Sequence, residues 1–220
     1  SKPVTLTATA SYNGGEVVTK TVEVTVKEQT RSVPDGAYAA VTFLSDGATT
    51  NGKIGEALYE SATDGNNFFS FSEINSGNPV IVSNTDTKGL RDPYVLKSKD
   101  GDKFYMIATD LKVSSQGWGQ NQQYGSLKLE AWESTDMVNW TDRGVPMKNE
   151  GFAWADKDAA WASQMVERDG KYYFYVTTTK GGPRALGVAV ADQPAGPYKD
   201  ALGKPIAGPN WDYIDPTVFV

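Results

Sequence analysis

A chain of 220 residues is long enough for one all-β domain, or for a domain plus a fragment. It carries 27 acidic and 21 basic side chains, a net charge of −6, and it contains neither histidine nor cysteine. These counts exclude Ser-His-Asp catalysis, thiol catalysis and zinc–thiolate sites built from this chain, and they argue against a nucleic-acid partner. Acid–base chemistry near neutral pH would therefore fall to carboxylates.

The sequence shows no targeting or membrane-spanning segment. It has no apolar run of the roughly 18 residues that a transmembrane helix requires, so we expect no membrane insertion. It opens at Ser1 without Met and without a signal peptide, which is typical of a mature or excised piece.

Residues 1–28 are predicted to form a β-hairpin that is separate from the rest. Apolar and polar residues alternate over 4–10 and again over 17–26, and the NGG at 13–15 supplies a turn with positive φ. Because two strands alone are marginal in water, we interpret the hairpin as the end of a larger sandwich or as a ribbon lying on the rest of the chain. It resembles the C-terminal end of bacterial immunoglobulin-like domains. Residues 29–36 are the predicted linker.

From residue 37 onward, one pattern recurs roughly every 50 to 70 residues. A polar entry opens a hydrophobic strand at 90–96 (LRDPYVL), 161–166 (WASQMV) and 214–220 (IDPTVFV). An Asp-Gly turn and an aromatic strand follow the first two entries. The remaining predicted strands are 37–44, 54–60 and 68–74 in the first unit, 104–110, 127–134 and 139–141 in the second, and 171–178, 185–191 and 197–199 in the third. Four strands per unit indicate a β-propeller.

We therefore predict an all-β fold in which residues 37–220 form about two and a half propeller blades. The first unit lacks its own opening strand, and residues 214–220 begin a further unit. The remainder of the polypeptide would then be needed to close the ring and cover the open edges. The alternative is a β-sandwich whose strands are similar by accident.

The strand entries are the candidate functional positions. Inner strands of a propeller direct their entry residues at the central channel, so Asp92 and Asp215 are predicted to converge there with the Trp161–Gln164 entry. Two carboxylates without histidine favour glycoside or metal chemistry. Asp before Pro is also common at strand entries for structural reasons, so either residue alone could be structural. Their equivalent positions in the repeat favour a function.

Several motifs at these positions resemble glycoside hydrolase family 43. They are RDP at 91–93, WESTD at 132–136, WASQ at 161–164 and IDP at 214–216, together with VAVAD at 188–192 and GPYKDALGKP at 196–205. The resemblance extends over 37–220 and points to the β-xylosidase and α-L-arabinofuranosidase branches. It implies a five-bladed propeller that releases arabinofuranosyl or xylosyl units, with inversion, from plant cell-wall polysaccharide such as arabinoxylan or arabinan. It also implies a secreted or cell-surface bacterial protein.

The resemblance assigns roles to individual residues. Asp92 would be the general base that activates water, and Asp215 would set the pKa of the general acid and orient it. Trp161 would lie against the sugar. Ser163 stands where the family usually has Pro, a departure that bears on the strand entry more than on the chemistry.

Three further residues are candidates for substrate binding. Gln164 belongs to the same entry as Trp161, and Arg91 precedes Asp92. Trp118 lies in the glycine-rich loop 114–119 and could wall a subsite. For Arg91 the alternative is pairing with a carboxylate, and for Trp118 it is packing within its loop.

The general acid implied by the resemblance is a glutamate that follows the later Asp-Pro motif, but no glutamate follows Asp215. We therefore predict that this chain is not competent for hydrolysis by itself. No cofactor or metal site is predicted, and a structural calcium ion would need ligands from outside this segment. The alternatives to an enzyme are a propeller that binds carbohydrate without cleaving it and a structural or adhesive module.

Overall fold

A computed structural model describes most of the chain in two compact units, Ser1–Arg31 and Ser32–Val220. The described residues are 2–10, 18–26, 33, 36–45, 52–65, 67–84, 89–111, 129–147, 151–155, 160–179, 183–210 and 213–219. Their strands are β1 (Lys2–Ala10), β2 (Val18–Val26), β3 (Ala39–Phe43), β4 (Leu58–Thr63), β5 (Phe71–Glu73), β6 (Leu90–Lys97), β7 (Phe104–Asp110), β8 (Leu129–Ser134), β9 (Thr141–Gly144), β10 (Trp161–Arg168), β11 (Lys171–Thr179), β12 (Arg184–Ala191) and β13 (Lys199–Asp200). One short 3₁₀ helix, Asn75–Gly77, follows β5.

The first unit contains the predicted hairpin. Strands β1 and β2 pair antiparallel, from Lys2 opposite Val26 to Ala10 opposite Val18. The cross-strand pair Thr7–Thr21 is exposed on one face, as the alternating sequence requires. The predicted turn at 13–15 lies outside the described residues. The origin of the hairpin in an immunoglobulin-like sandwich remains a prediction.

The second unit consists of antiparallel sheets whose strands follow one another in chain order. In chain order, β3-β4-β5 form the first sheet, which has three strands. Strands β6-β7-β8-β9 form the second sheet and β10-β11-β12-β13 the third, and each of these has four strands. Strand β10 packs against β6 and β7, and β6 packs against β3 and β4, so successive sheets are neighbours. The predicted all-β fold of repeated antiparallel sheets is confirmed, with two four-stranded sheets and one three-stranded sheet among the described residues.

The core lies between successive sheets. One cluster joins the second and third sheets through side chains that include Ile107, Met165 and Phe174, and the other joins the first and second sheets around Leu58 and Leu90. Burying each of these large side chains contributes about 1.5 to 3 kcal/mol to stability.

Two tryptophans take part in the packing between the first and second sheets. Trp132 belongs to their core cluster and Trp140 packs against it. The indole of Trp140 also donates a hydrogen bond to Glu60 Oε1 at 3.0 Å. Both residues are therefore part of the blade packing.

The two Asp-Gly turns connect the first strands of the complete sheets. Asp169 and Gly170 have φ of 53° and 71° between the paired residues Arg168 and Lys171, which is the pattern of a two-residue type I′ turn. The turn after β6 is longer. The amide of Ser98 donates to the carbonyl of Lys103, and residues 99–102 lie between these two paired residues.

Some strand bounds differ from the predicted ones for local reasons. Strand β4 begins at Leu58 rather than at 54, because Glu56 has a φ of 53°, in the left-handed region and outside the extended conformation of a regular strand. Strand β9 begins at Thr141 rather than at 139, because Asp136 Oδ1 accepts the amides of 138 and 139 and holds them in a turn. Strand β13 begins after Pro197, which has no amide hydrogen for a ladder.

Residues 213–219 do not form a regular strand, although they were predicted to open a further blade. Among the described residues, no strand pairs with this segment along its length. It is attached instead by individual hydrogen bonds, which the amides of Asp215 and Val218 donate to Thr177 and Gln164 of the third sheet.

Candidate active site

Three strand entries share one unusual backbone conformation. Asp92, Ala162 and Asp215 have φ of 50°, 22° and 52°, in the left-handed region that costs a residue with a side chain about 1 to 3 kcal/mol. The pairing of β6 with β7 shifts between Arg91 and Tyr94, and that of β10 with β11 shifts next to Ala162. Such irregularities redirect the side chain of the extra residue. The sequence repeat is therefore a repeat of backbone conformation, with Ala162 at the position that corresponds to the two carboxylates.

The three entries line one open cavity of about 270 Å³. Its lining consists of Asp92, Pro93 and Tyr94 from the first entry, Ala162, Ser163 and Gln164 from the second, and Asp215, Pro216 and Thr217 from the third. The structure thus brings together both aspartates that the sequence singled out. The small side chain of Ala162 leaves the space beside them open.

The environment of Asp92 suits a proton acceptor. Burial raises the pKa of its carboxyl above the usual value, and the negative charge of Asp215 raises it further. The guanidinium of Arg91 and a hydrogen bond with the Thr109 side chain lower the pKa and offset part of this effect. A carboxylate with a raised pKa is a stronger base, and it remains ionised where the pH exceeds that pKa.

Buried threonine hydroxyls hold two of the entries in place. The amide of Ala162 donates to Thr109 Oγ1 at 2.9 Å, and the amide of Asp215 donates to Thr177 Oγ1 at 2.9 Å. Thr109 lies on β7 and Thr177 on β11, so each hydroxyl reaches from the second strand of one blade to the entry of the next blade. Sequence reasoning missed both residues. The signal was their equal spacing after Lys103 and Lys171, the residues that follow the two Asp-Gly turns.

Gln164 lines the cavity and also attaches residues 213–219 to the third sheet. Its Oε1 accepts the amide of Val218 at 2.6 Å, and its Nε2 lies 3.3 Å from both the carbonyl of Val218 and the hydroxyl of Tyr94. The side-chain amide pairs with Val218 as a neighbouring strand would. A direct contact of Gln164 with sugar remains a prediction.

Trp161 stands beside the cavity rather than in its lining. The guanidinium carbon of Arg184 lies 3.2 Å from the ring centroid, so a buried cation covers one face of the indole. A sugar could therefore meet only the other face or the edge of the ring, and this contact remains a prediction. Trp118 lies outside the described residues, and its contact with substrate also remains a prediction.

The assignment of Arg91 to substrate binding needs correction. Its side chain is only 5% exposed and does not line the cavity. Its Nη1 donates to Glu56 Oε1 at 2.7 Å and to the carbonyl of Ser45 at 3.3 Å, and the guanidinium lies 5.0 Å from the Phe43 ring centroid. The alternative of pairing with a carboxylate is the one that the structure supports, and the partner is Glu56, just before β4.

The described part of the chain contains no group of three or more Asp or Glu side chains arranged to hold a metal ion. The cavity presents two carboxylates, flanked by hydroxyl and amide groups. Such a pair can remove a proton from water on one face of a substrate.

Repeated antiparallel sheets that place two aspartates on one cavity are consistent with a carboxylate-dependent glycoside hydrolase domain. Residues 34–184 match a family model described as a probable glycosyl hydrolase domain, related to glycoside hydrolase family 43. The chain belongs to this family.

Individual relatives are similar over part of their length. The chain is 57% identical over 169 residues to an α-L-arabinofuranosidase of Bifidobacterium longum, a match that covers 73% of this chain and 15% of that protein. It is 30% identical over 169 residues to an arabinoxylan arabinofuranohydrolase of Bacillus subtilis, covering 67% of this chain and 31% of that protein. Among solved structures, an endo-arabinase from Bacteroides thetaiotaomicron is 28% identical with a TM-score of 0.42, over 55% of this chain and 37% of that one.

Proposed function

We propose that this chain supplies the general base and the pKa modulator of an inverting glycosidase. Its substrates would be arabinofuranosyl or xylosyl groups on plant cell-wall polysaccharide such as arabinoxylan or arabinan. The observation that carries the proposal is the placement of Asp92 and Asp215 on one cavity between adjacent strand entries. The names of the two curated relatives, an arabinofuranosidase and an arabinoxylan arabinofuranohydrolase, support the substrate class.

The proposed reaction includes one proton transfer on each face of the sugar. The Asp92 carboxylate accepts a proton from water, and the water oxygen bonds to the anomeric carbon as the glycosidic bond breaks on the opposite face. The departing oxygen takes a proton from a general acid. Asp215, which is close enough to Asp92 to affect its pKa, would help to keep that acid protonated through like-charge repulsion.

We assign the general acid to a glutamate in the remainder of the polypeptide. Two glutamates near the second and third blades are engaged elsewhere: Glu133 pairs with Lys103 at 3.0 Å and Arg143 at 3.2 Å, and Glu167 accepts the amide of Gly170 at 3.0 Å. We also infer that further blades of the same polypeptide close a five-bladed ring.

We infer in addition that the protein is secreted or displayed on a bacterial cell surface. The support is that its relatives include extracellular endo-arabinanases of Bacillus subtilis and Thermotoga petrophila. In the part of the chain that the structure describes, no helix is long and apolar enough to span a membrane.

The test compares the full-length protein with its Asp92→Asn and Asp215→Asn variants on aryl α-L-arabinofuranosides and β-D-xylosides. Asp92→Asn should lower kcat by about 10²- to 10⁴-fold, the usual contribution of a general base. The isolated 220-residue chain should show no turnover. Turnover by the isolated chain that Asp92→Asn abolishes would contradict the assignment of the acid. A full-length protein that binds these sugars without cleaving them would contradict the enzymatic proposal and favour a carbohydrate-binding module.

A further inference from the structure

Ser163 has a buried hydroxyl that makes no hydrogen bond within the described part of the chain. The residue is only 8% exposed, and its Oγ has no donor or acceptor within hydrogen-bonding distance among the described residues. Most buried polar side chains in proteins have a partner, because an unpaired one has lost its contact with water and gained nothing in return. An unpaired hydroxyl is therefore unusual, and its place in the fold shows what can reach it.

Ser163 lines the cavity that the two aspartates share. It lies on β10 opposite Val176, directly after the left-handed residue Ala162. A single rotatable bond with three staggered positions joins the hydroxyl to the backbone. A molecule bound in the cavity can therefore supply the partner that the described protein does not.

The scaffold does not require a hydroxyl at this position. In the other two entries a proline follows the left-handed residue, as Pro93 follows Asp92 and Pro216 follows Asp215. Proline has no polar side chain, and both prolines line the same cavity. At Ser163 a hydroxyl takes the place of the apolar ring, with a loss of stability that no contact of this hydroxyl among the described residues offsets.

Ser134 shows how a buried serine is paired elsewhere in this fold. It is 3% exposed, and its Oγ accepts the amides of Asp136 and Met137 at 3.1 and 2.9 Å. The same hydroxyl donates to Asp136 Oδ1 at 3.0 Å. Ser134 holds the turn after β8 and does not line the cavity. The two serines are similar in burial and differ in whether the protein itself satisfies the hydroxyl.

We propose that Ser163 is a substrate-binding residue whose Oγ forms a hydrogen bond with a hydroxyl of the pentose that lies beside Asp92 and Asp215. The proposal rests on the function proposed above. A sugar hydroxyl and a serine hydroxyl can each donate and accept, so the pair satisfies the unpaired Oγ in either direction. A site built in this way discriminates against a sugar that lacks the hydroxyl, because Oγ then stays unpaired. The serine in place of proline thus bears on substrate recognition as well as on the strand entry.

The experiment compares the full-length protein with its Ser163→Ala variant. The substrates are aryl α-L-arabinofuranosides and β-D-xylosides, each as the parent glycoside and with one sugar hydroxyl at a time replaced by hydrogen. For one particular hydroxyl, the ratio of kcat/KM between parent and deoxy glycoside should be about threefold to tenfold smaller in Ser163→Ala than in the wild type, as expected for one uncharged hydrogen bond. The intrinsic reactivity of each glycoside cancels in this comparison.

Thermal unfolding of the protein without sugar is the second readout. Ser163→Ala should raise the Tm by about 2 °C, because it removes an unpaired buried hydroxyl. Ser134→Ala is the matched control. It should lower the Tm, because it breaks the hydrogen bonds of a paired hydroxyl, and it should keep the wild-type ratio for every deoxy glycoside. A purely structural role of Ser163 would not combine a gain in stability with a loss of discrimination.

A wild-type ratio for every deoxy glycoside in Ser163→Ala would overturn the proposal. A fall in the Tm would overturn it as well, because the hydroxyl would then have a partner within the protein. If the wild-type protein cleaves none of the glycosides, the proposed function fails. The comparison is then made with the dissociation constants of the corresponding methyl glycosides, measured by isothermal titration calorimetry. Equal ratios in the two proteins, or no binding to the wild type, would overturn the assignment of Ser163.

Discussion

Glu60 is a buried carboxyl with little to compensate for its charge. Its side chain is 2% exposed, Oε1 accepts the indole of Trp140, and Oε2 has no hydrogen-bond partner among the described residues. Burial raises the pKa of Glu60 from 4.5 to about 8, and the negative charge of Asp136 adds to the effect. At neutral pH the native protein therefore holds a proton here that the unfolded chain has lost.

This difference makes stability depend on pH. Because the folded-state pKa is the higher one, the free energy of unfolding should fall as pH rises from about 4.5 to about 8. Glu60→Gln keeps an acceptor for Trp140 and removes the titration. We expect it to stabilise the protein by on the order of 2 kcal/mol at pH 8 and to flatten this part of the profile.

Chemical denaturation at pH 5, 6.5 and 8 checks this prediction. Glu133 offers the matched control, since it occupies the corresponding strand position and its pKa is lowered by hydrogen bonds from Lys103 and Arg143. Glu133→Gln should be slightly destabilising at pH 8, the opposite sign. A pH-independent effect of Glu60→Gln would show that the carboxyl is not protonated in the folded state.

At the scale of elements, the attachment of residues 213–219 depends on single side chains. Gln164 pairs with both the amide and the carbonyl of Val218, and Thr177 accepts the amide of Asp215. The position of the second aspartate therefore depends on an amide side chain that replaces a neighbouring strand.

Gln164→Leu, which keeps the size of the side chain, should release this attachment. In hydrogen-exchange mass spectrometry of the full-length protein, peptides that contain Val218 should exchange about tenfold faster, the effect expected when a hydrogen bond worth about 1.4 kcal/mol is lost. Gln193→Leu is the control, because Gln193 is exposed and lies outside this cavity. Equal exchange in the Gln164 variant and the wild type would mean that other contacts hold the segment.

The sequence predicts the order of the strands better than it predicts where each strand begins. Alternating apolar residues and the Asp-Gly turns predicted the order of the strands in both complete sheets, because these signals are local and repeated. The bounds of β4 and β9 depended on the left-handed residue Glu56 and on the turn around Asp136, which alternation does not record. The threonine contacts to Ala162 and Asp215 connect residues that are distant in the chain, and only the fold reveals them.

The same distinction applies to the candidate site. Asp92 and Asp215 could be selected from the sequence because their motifs repeat and resemble a known family. For Arg91 the sequence left sugar binding and pairing with a carboxylate open, because it does not show that Glu56, just before β4, approaches the guanidinium. A buried arginine and an exposed one look alike in the sequence until the partner on another element is known.

At the scale of the whole molecule, the site is a property of the junctions between blades. Asp92 stands at the entry of one blade and shares a cavity with the entries of the next two. The chain spans 15% and 31% of the two curated relatives described above. The general acid that we assign to the remaining polypeptide would have to reach this cavity from another blade.

The central claim is that Asp92 activates water on the face of the sugar opposite the leaving group. The most direct test is to record proton NMR spectra during the first turnovers of the full-length protein on an aryl arabinofuranoside or xyloside. The inverting mechanism predicts that the sugar first appears with inverted anomeric configuration and mutarotates afterwards. A first product with retained configuration would contradict it, because a carboxylate would then have attacked the anomeric carbon itself.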